Sequence, residues 1–157
     1  MQAKLSKELL GLAGEYAVAS ELCRRGVYSQ LTLGNHKQTD ILVETKDHML
    51  RISVKAKQGK EWPSIVGLSR RDDFLVLVDL REKSDMGRPD FYILDLADWK
   101  QLILEEHQRH PATTVDELNR ITYPDGWTGL NIKPEKVGAA LEKWDKIISH
   151  IAIRDTT

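Results

Sequence analysis

The chain has 157 residues, 41% of them hydrophobic and 30% charged, which is typical of a soluble globular protein and enough for one domain over residues 1–157. A formal net charge of −1 gives no support for holding nucleic acid by overall charge, so any such function must rest on local charge. Its single cysteine excludes an intrachain disulfide, and with neither a signal peptide nor a roughly 20-residue apolar run we expect a cytoplasmic protein without a membrane partner.

The N-terminal segment 5–25 is predicted to form a helix, with Gly26 as its stop signal. Apolar side chains recur there at spacings of three and four residues. The expected apolar stripe consists of Leu5, Leu9, Leu12, Ala13, Tyr16, Ala19, Leu22 and Cys23. Glu15 borders this stripe, whereas Glu21 lies well round the helix from it and is expected to face solvent.

The middle of the chain is rich in strand character, and helices follow it. The predicted strands are Val27–Leu33, Thr39–Thr45, Met49–Ala56, Asp73–Leu80 and Phe91–Leu96. The fourth is almost continuously apolar, which suits a strand buried on both faces. A helix is predicted from Ala97, with Asp95 as its N-cap, and a last helix begins near Pro134. This order predicts an α/β (α+β) domain with one mixed sheet flanked by helices.

Three places along this pattern could carry chemistry. The carboxylate of Glu15 borders an apolar stripe and costs free energy unless it is paired, although a salt bridge would explain it. Asp40 opens the second strand, where a turn aspartate is the plain alternative. Alternation along the third strand places four polar residues on one face, which a solvated edge would also explain: Arg51, Ser53, Lys55 and Lys57.

Considered together, these residues suggest a hydrolytic site. Glu15, Asp40 and Lys55 could converge at one end of the sheet. Two carboxylates there could hold a divalent metal through hard oxygen ligands. A lysine beside them could orient a water molecule and offset the charge of a phosphate.

Three segments carry a resemblance to the PD-(D/E)XK nuclease-like family: Gly14–Val18, Thr39–Val43 and Ile52–Lys55. They resemble the branch that reads GE-x-A-V-x-x-E-L, D-ILV and I-Q-V-K. The resemblance implies a restriction-endonuclease-like fold and Mg²⁺- or Mn²⁺-dependent hydrolysis of DNA phosphodiester bonds. It implies that Glu15 and Asp40 are metal ligands and that Lys55 is the catalytic lysine. A homodimer is also expected, because a duplex has two strands to cut.

This sequence departs from the family motif at two positions. Thr39 replaces a proline that supplies no ligand. Ser53 replaces the acidic residue or glutamine two positions before the lysine, and its hydroxyl is neutral and shorter than a carboxylate. We expect Ser53 to contribute weakly or indirectly to catalysis. Glu44 or Glu61 could supply the missing oxygen from another position.

Local charge is more favourable to nucleic acid than the net charge. Between positions 51 and 71, six basic residues face Glu61 alone, and five of them are candidate DNA contacts beside Lys55: Arg51, Lys57, Lys60, Arg70 and Arg71. A basic loop balanced by acidic residues elsewhere is the alternative. Trp62, in the same segment, could stack on a base or fill the core.

Three functional hypotheses follow. The leading one is a metal-dependent DNA endonuclease that uses Glu15, Asp40 and Lys55. The second is a catalytically silent nucleic-acid-binding module on the same fold, with its chemistry lost at Ser53. The third is a protein-interaction module, such as an immunity or accessory factor.

Overall fold

The computed structural model describes residues 2–32 and 39–155. Its elements in chain order are the helix α1 (Lys7–Arg24), the strands β1 (Ser29–Leu31), β2 (Ile41–Glu44), β3 (Met49–Lys57), β4 (Trp62–Ile65), β5 (Asp73–Asp79) and β6 (Asp90–Leu94), the helix α2 (Leu96–Arg109), the strands β7 (Thr114–Val115), β8 (Ile121–Thr122) and β9 (Leu130–Ile132), a 3₁₀ helix (Pro134–Ala140) and the helix α3 (Asp145–Asp155). The five predicted strands correspond to β1, β2, β3, β5 and β6. Leu33, the predicted end of the first, lies outside the described residues.

A five-stranded mixed sheet forms the centre of the fold, in the order β1-β2-β3-β5-β6. The β3–β5 pair is parallel, and the other neighbours are antiparallel. The register of the parallel pair sets Arg51 beside Asp73 and Ser53 beside Leu75. Two short ribbons, β4–β9 and β7–β8, lie outside this sheet. The predicted mixed sheet with flanking helices is therefore confirmed.

The central sheet separates two apolar cores. Strand β5 contributes to both because its side chains alternate, with Phe74, Val76 and Val78 on the α1 side and Leu75 and Leu77 on the α2 side. Its residues from Phe74 onward are buried, as the continuous apolar run predicts. None of the described helices is both long enough and apolar enough to cross a bilayer.

The face that α1 turns toward the sheet differs from the predicted stripe. Leu9, Leu12 and Tyr16 are exposed, whereas the buried side includes Gly14, Val18, Glu21 and Leu22. A Cβ atom at Gly14 would lie 2.8 Å from the Cβ of Ala56, so a residue without a side chain lets the helix settle directly on β3. The expectation that Glu21 faces solvent was also wrong, because its carboxylate is buried against two arginines.

The C-terminal region is divided where the sequence predicted one helix from Pro134. A 3₁₀ helix ends at Ala140, and α3 begins only at Asp145. Glu142, which has a positive φ of 56°, donates its backbone N–H to the Phe91 carbonyl at 2.8 Å. This bond fixes the chain to β6 and interrupts the helix. By contrast, the predicted N-cap of α2 is confirmed, since Asp95 accepts from the Asp98 N–H at 2.9 Å.

Candidate functional site

Asp40 lies immediately before β2, and three backbone groups define its position. Its N–H donates to the Ile52 carbonyl at 3.0 Å, and its carbonyl accepts from the Thr32 N–H at 2.9 Å. Its carboxylate oxygen Oδ2 accepts from the Val54 N–H at 2.6 Å. Strand β3 thus orients the Asp40 side chain through Val54, the residue between Ser53 and Lys55.

Glu15 lies on α1 directly after Gly14, the residue that lets the helix approach β3. It is partly buried, and its pKa is raised by burial, then by the negative charge of Asp40 and a hydrogen bond between the two carboxyl groups. The positive charge of Lys55 opposes this rise. The structure therefore brings the Glu15 and Asp40 carboxyl groups within hydrogen-bonding reach, with the positive charge of Lys55 close enough to lower the pKa of Glu15. A carboxylate pair of this kind favours a shared proton or a cation.

Ser53 and Lys55 share a face of β3, as alternation predicts. They line one side of a cavity of about 300 Å³, whose other walls include Asp73, Leu75 and Arg120. Ser53 is partly exposed and Lys55 is exposed. The cavity offers room for a substrate group beside the lysine.

Asp73 is a site residue that the sequence reasoning missed. It opens β5 opposite Arg51 and lines the same cavity as Ser53 and Lys55. Burial raises the pKa of Asp73, and the charges of Arg51 and Arg70 oppose that rise. The available signal was an acidic residue opening an apolar strand, the same signal that singled out Asp40.

The two glutamates considered as substitutes for the missing acid lie elsewhere. Glu44 is exposed at the end of β2, where it pairs with Met49 next to the following turn. Glu61 precedes β4. Neither lines the cavity that contains Ser53 and Lys55. Of the acidic residues considered, Asp73 alone faces this cavity.

The donor groups differ between two candidate metal positions. Glu15 and Asp40 supply carboxylate oxygens, which suit a hard divalent ion that keeps its remaining positions for water or phosphate. Within residues 2–32 and 39–155, the only group of three or more His, Cys, Asp or Glu side chains with donor atoms all within 4.8 Å of one another is His48, Asp72 and His150.

Of the five basic residues predicted to contact DNA, four lie on the surface and one lies in the core. Arg51, Arg70 and Arg71 are exposed and line a second cavity of about 600 Å³. Lys60 is exposed between β3 and β4. Lys57, in contrast, is buried, because its ammonium group pairs with Asp79 at 2.7 Å and lies 4.9 Å from the Trp62 ring centre. This position removes Lys57 from the candidate DNA contacts.

Trp62 is part of the core. Its side chain is fully buried, and its indole N–H donates to the Val78 carbonyl at 3.1 Å. Of the two interpretations of this residue, base stacking and core filling, the structure shows core filling.

Comparison with solved structures shows what this architecture is. The bacterial homing endonuclease I-Ssp6803I superimposes with a TM-score of 0.55 over 98% of this chain and 99% of its own, at 14% identity. The chain therefore shares the fold of that endonuclease. Hjc, a Holliday junction resolvase from the archaeal hyperthermophile Archaeoglobus fulgidus, gives a TM-score of 0.48 over 87% of this chain and 94% of its own, at 13% identity. No protein-family model and no curated protein sequence matches the chain.

The predicted resemblance is thereby confirmed at the level of the fold. Sequence identities this low carry no residue roles with them. The functions of Glu15, Asp40, Ser53 and Lys55 remain predictions, which rest on the geometry of the site.

Proposed function

We propose that this protein is a metal-dependent endonuclease that hydrolyses phosphodiester bonds in DNA. The observation that carries the proposal is the Glu15–Asp40 carboxylate pair, with Lys55 beside it, on a nuclease-type fold. The solved structure with a TM-score of 0.55 is a homing endonuclease, which supports the same reaction class. Mg²⁺ or Mn²⁺ suits the two carboxylates, because both ions prefer oxygen ligands.

The residues of the chain divide the work as follows. Asp40 and Glu15 hold the ion, and the Val54 N–H keeps the Asp40 carboxylate aimed. When bound, the ion would polarise the phosphate and make a bound water molecule more acidic. Lys55 presents its positive charge to the phosphate and offsets the charge that develops during attack.

We propose further that Asp73 takes over part of the task that Ser53 cannot perform. A serine hydroxyl carries no charge and can neither attract a cation strongly nor take a proton from water. Asp73 enters the same cavity from the neighbouring strand, and burial holds its pKa above the usual range. A carboxylate with such a pKa suits a group that orients water and accepts its proton.

The DNA would lie along the exposed arginines. Arg51, Arg70 and Arg71 line the larger cavity next to Asp73, and Lys60 extends the basic character beyond β3. Such side chains bind phosphates without reading sequence. A homodimer would place two sites on a duplex, one for each strand.

The test is a cleavage assay with Mg²⁺ or Mn²⁺ on plasmid, single-stranded and branched DNA. Asp40→Asn keeps an acceptor for the Val54 N–H but removes the charge, so we expect metal-dependent cutting to fall on the order of a thousandfold. Asp85→Asn, at an exposed aspartate of a surface loop, is the matched control and should cut like the wild type. Cutting by Asp40→Asn at the wild-type rate would refute the assignment.

The silent nucleic-acid-binding module is the second candidate, and Ser53 is the observation that favours it. If the wild type binds DNA without cutting it and Ser53→Glu cuts, the natural protein is the silent module. If the wild type cuts, this candidate is excluded. A protein that shows no salt-dependent affinity for DNA would instead favour the protein-interaction module.

A further inference from the structure

A second cluster of metal-binding side chains lies away from the carboxylate pair. His48 belongs to the turn between β2 and β3, Asp72 directly precedes β5, and His150 lies on α3. One imidazole nitrogen from each histidine and one carboxylate oxygen of Asp72 lie within 4.8 Å of one another. The Nε2 atom of His150 is 2.7 Å from Asp72 Oδ1. The fold thus gathers three segments that are distant in sequence at one point.

The hydrogen bonds of His48 indicate which of its two ring nitrogens is available to an ion. Thr45 Oγ1 lies 2.8 Å from His48 Nδ1 and donates its own proton to the His48 carbonyl at 2.9 Å. When Thr45 donates to that carbonyl, its Oγ1 is free to accept from an Nδ1–H group. This is the tautomer in which His48 Nε2 carries a lone pair and no proton. It is buried and has no hydrogen-bond partner in the part of the chain that the structure describes.

A buried lone pair of this kind is costly unless something binds it. The Thr45–His48 bond matches the way in which the second ring nitrogen of a metal-binding histidine is usually held, which fixes both the tautomer and the ring orientation. Two imidazoles and one carboxylate form the donor set of Zn²⁺ sites that keep a fourth position open. Mg²⁺, by contrast, takes oxygen ligands.

We propose that His48, Asp72 and His150 bind a Zn²⁺ ion. The ligands are His48 Nε2, the Asp72 carboxylate and His150 Nε2, and water fills the fourth position. Tetrahedral Zn²⁺ needs donor atoms about 3.4 Å apart, so separations within 4.8 Å close by small side-chain rotations. For His150 to bind the ion through Nε2, the proton that bonds Asp72 moves to Nδ1 of the same neutral ring. Protons compete with the ion for imidazole and carboxylate donors, so the affinity falls as the pH falls.

The site is separate from the Glu15–Asp40 carboxylate pair and from Lys55, although Asp72 adjoins Asp73 in the larger cavity. His48 and Lys55 are seven residues apart on an extended segment, which corresponds to roughly 20 Å at about 3.3 Å per residue. A bound ion would join the C-terminal helix to the β2–β3 turn and to the start of β5. The His150 ring already contacts Phe74 of β5, with ring centres 5.3 Å apart. The ion therefore acts on the stability of this corner of the fold.

The experiment measures zinc binding by calorimetry on metal-stripped protein without a histidine tag, in the Asp40→Asn background. That background removes part of the carboxylate pair and makes the result independent of nuclease activity. We expect one Zn²⁺ to bind per chain and to raise the melting temperature by about 5 °C or more at saturation. When Co²⁺ replaces Zn²⁺, the complex should absorb visible light. His48→Gln should lower the affinity by at least about a hundredfold, and Thr45→Val by about tenfold.

The matched control is His110→Gln, at an exposed histidine outside the cluster. It should bind zinc like its parent. Equal affinity in the parent and in His48→Gln, or no stoichiometric binding by a parent that is folded by circular dichroism, would overturn the proposal. His150→Gln gives a second ligand test should His48→Gln fail to fold.

Discussion

Two glutamates on the same helix have opposite environments. Glu21 is buried, and two arginines neutralise it: Arg25 at 2.6 Å and Arg88 at 3.0 Å. Burial alone would raise the pKa of Glu21, but hydrogen bonds from these arginines bring it below its usual value. Glu15 instead lies partly buried beside another carboxylate, and its pKa is raised first by burial and then by the charge of Asp40.

The difference separates a carboxylate with a structural environment, Glu21, from one with the environment that the proposed metal site requires, Glu15. The charge of Glu21 is satisfied within the chain, so the ion pairs hold α1 to the segment around Arg88. The charge of Glu15 is met by another negative group and only partly offset by Lys55. Such a pair destabilises the protein unless a cation joins it, and for that reason we assign the metal to Glu15 and not to Glu21.

The largest expected effect is on catalysis at Glu15. Glu15→Gln removes a proposed ligand, so we expect metal-dependent cleavage to fall by about 10²- to 10³-fold. The free energy of unfolding without metal should stay equal or rise, because the repulsion with Asp40 is gone. Single-turnover cleavage and urea denaturation measure the two effects. A Glu15→Gln protein that is less stable and fully active would reverse the comparison.

Glu21→Gln should show the opposite pattern. It removes one of the two carboxylates that Arg25 and Arg88 contact and leaves them only Glu142. Because both arginines are partly exposed, we expect a loss of about 1–3 kcal/mol in the free energy of unfolding. Cleavage per folded molecule should remain within about twofold of the wild type. The same two assays measure it, and loss of cleavage with unchanged stability would contradict the structural role.

The contrast between these glutamates also marks the limit of what the sequence can predict. Periodicity located α1, the apolar run located β5, and an acidic residue at a strand start singled out Asp40. The face of α1 could not be predicted, because it depends on the close approach of Gly14 to Ala56 and on an arginine 67 positions away from Glu21.

The same reasoning applies to the site residues that were missed. Asp73 reaches the cavity only because β3 and β5 pair in parallel, and sequence alone does not reveal the neighbours of a strand. The cluster of His48, Asp72 and His150 likewise depends on where α3 packs. Local patterns predicted elements and single candidates, whereas contacts between distant segments required the structure.

A third, smaller effect on cleavage is expected at Asp73. If this residue orients water in place of the acid missing at position 53, Asp73→Asn should lower cleavage by about tenfold, toward the weak end of general base effects. DNA affinity should change little or rise, because a negative charge beside Arg51 and Arg70 is removed. Cleavage rates measure the effect of Asp73→Asn on catalysis, and salt-dependent DNA binding measures its effect on affinity. Unchanged cleavage would leave Asp73 without a catalytic part.

The smallest effect is the pH dependence of stability, and it distinguishes the two glutamates most directly. A raised folded-state pKa means that Glu15 destabilises the protein as the pH rises above 4.5, its usual pKa. A lowered pKa means that Glu21 stabilises the protein at and above 4.5 and loses this contribution as the pH falls below that value. The two contributions therefore change on opposite sides of the same pH.

Urea denaturation of metal-free wild type, Glu15→Gln and Glu21→Gln between about pH 3 and pH 7 measures this directly. The difference between wild type and Glu15→Gln should develop above pH 4.5 and favour the variant. The difference between wild type and Glu21→Gln should develop below pH 4.5 and favour the wild type at neutral pH. Adding Mg²⁺ at pH 7 should stabilise the wild type and not Glu15→Gln, since the ion replaces the repulsion between the carboxylates with attraction. If both differences develop in the same pH range, the two glutamates share one environment, and the assignment of the metal to Glu15 fails.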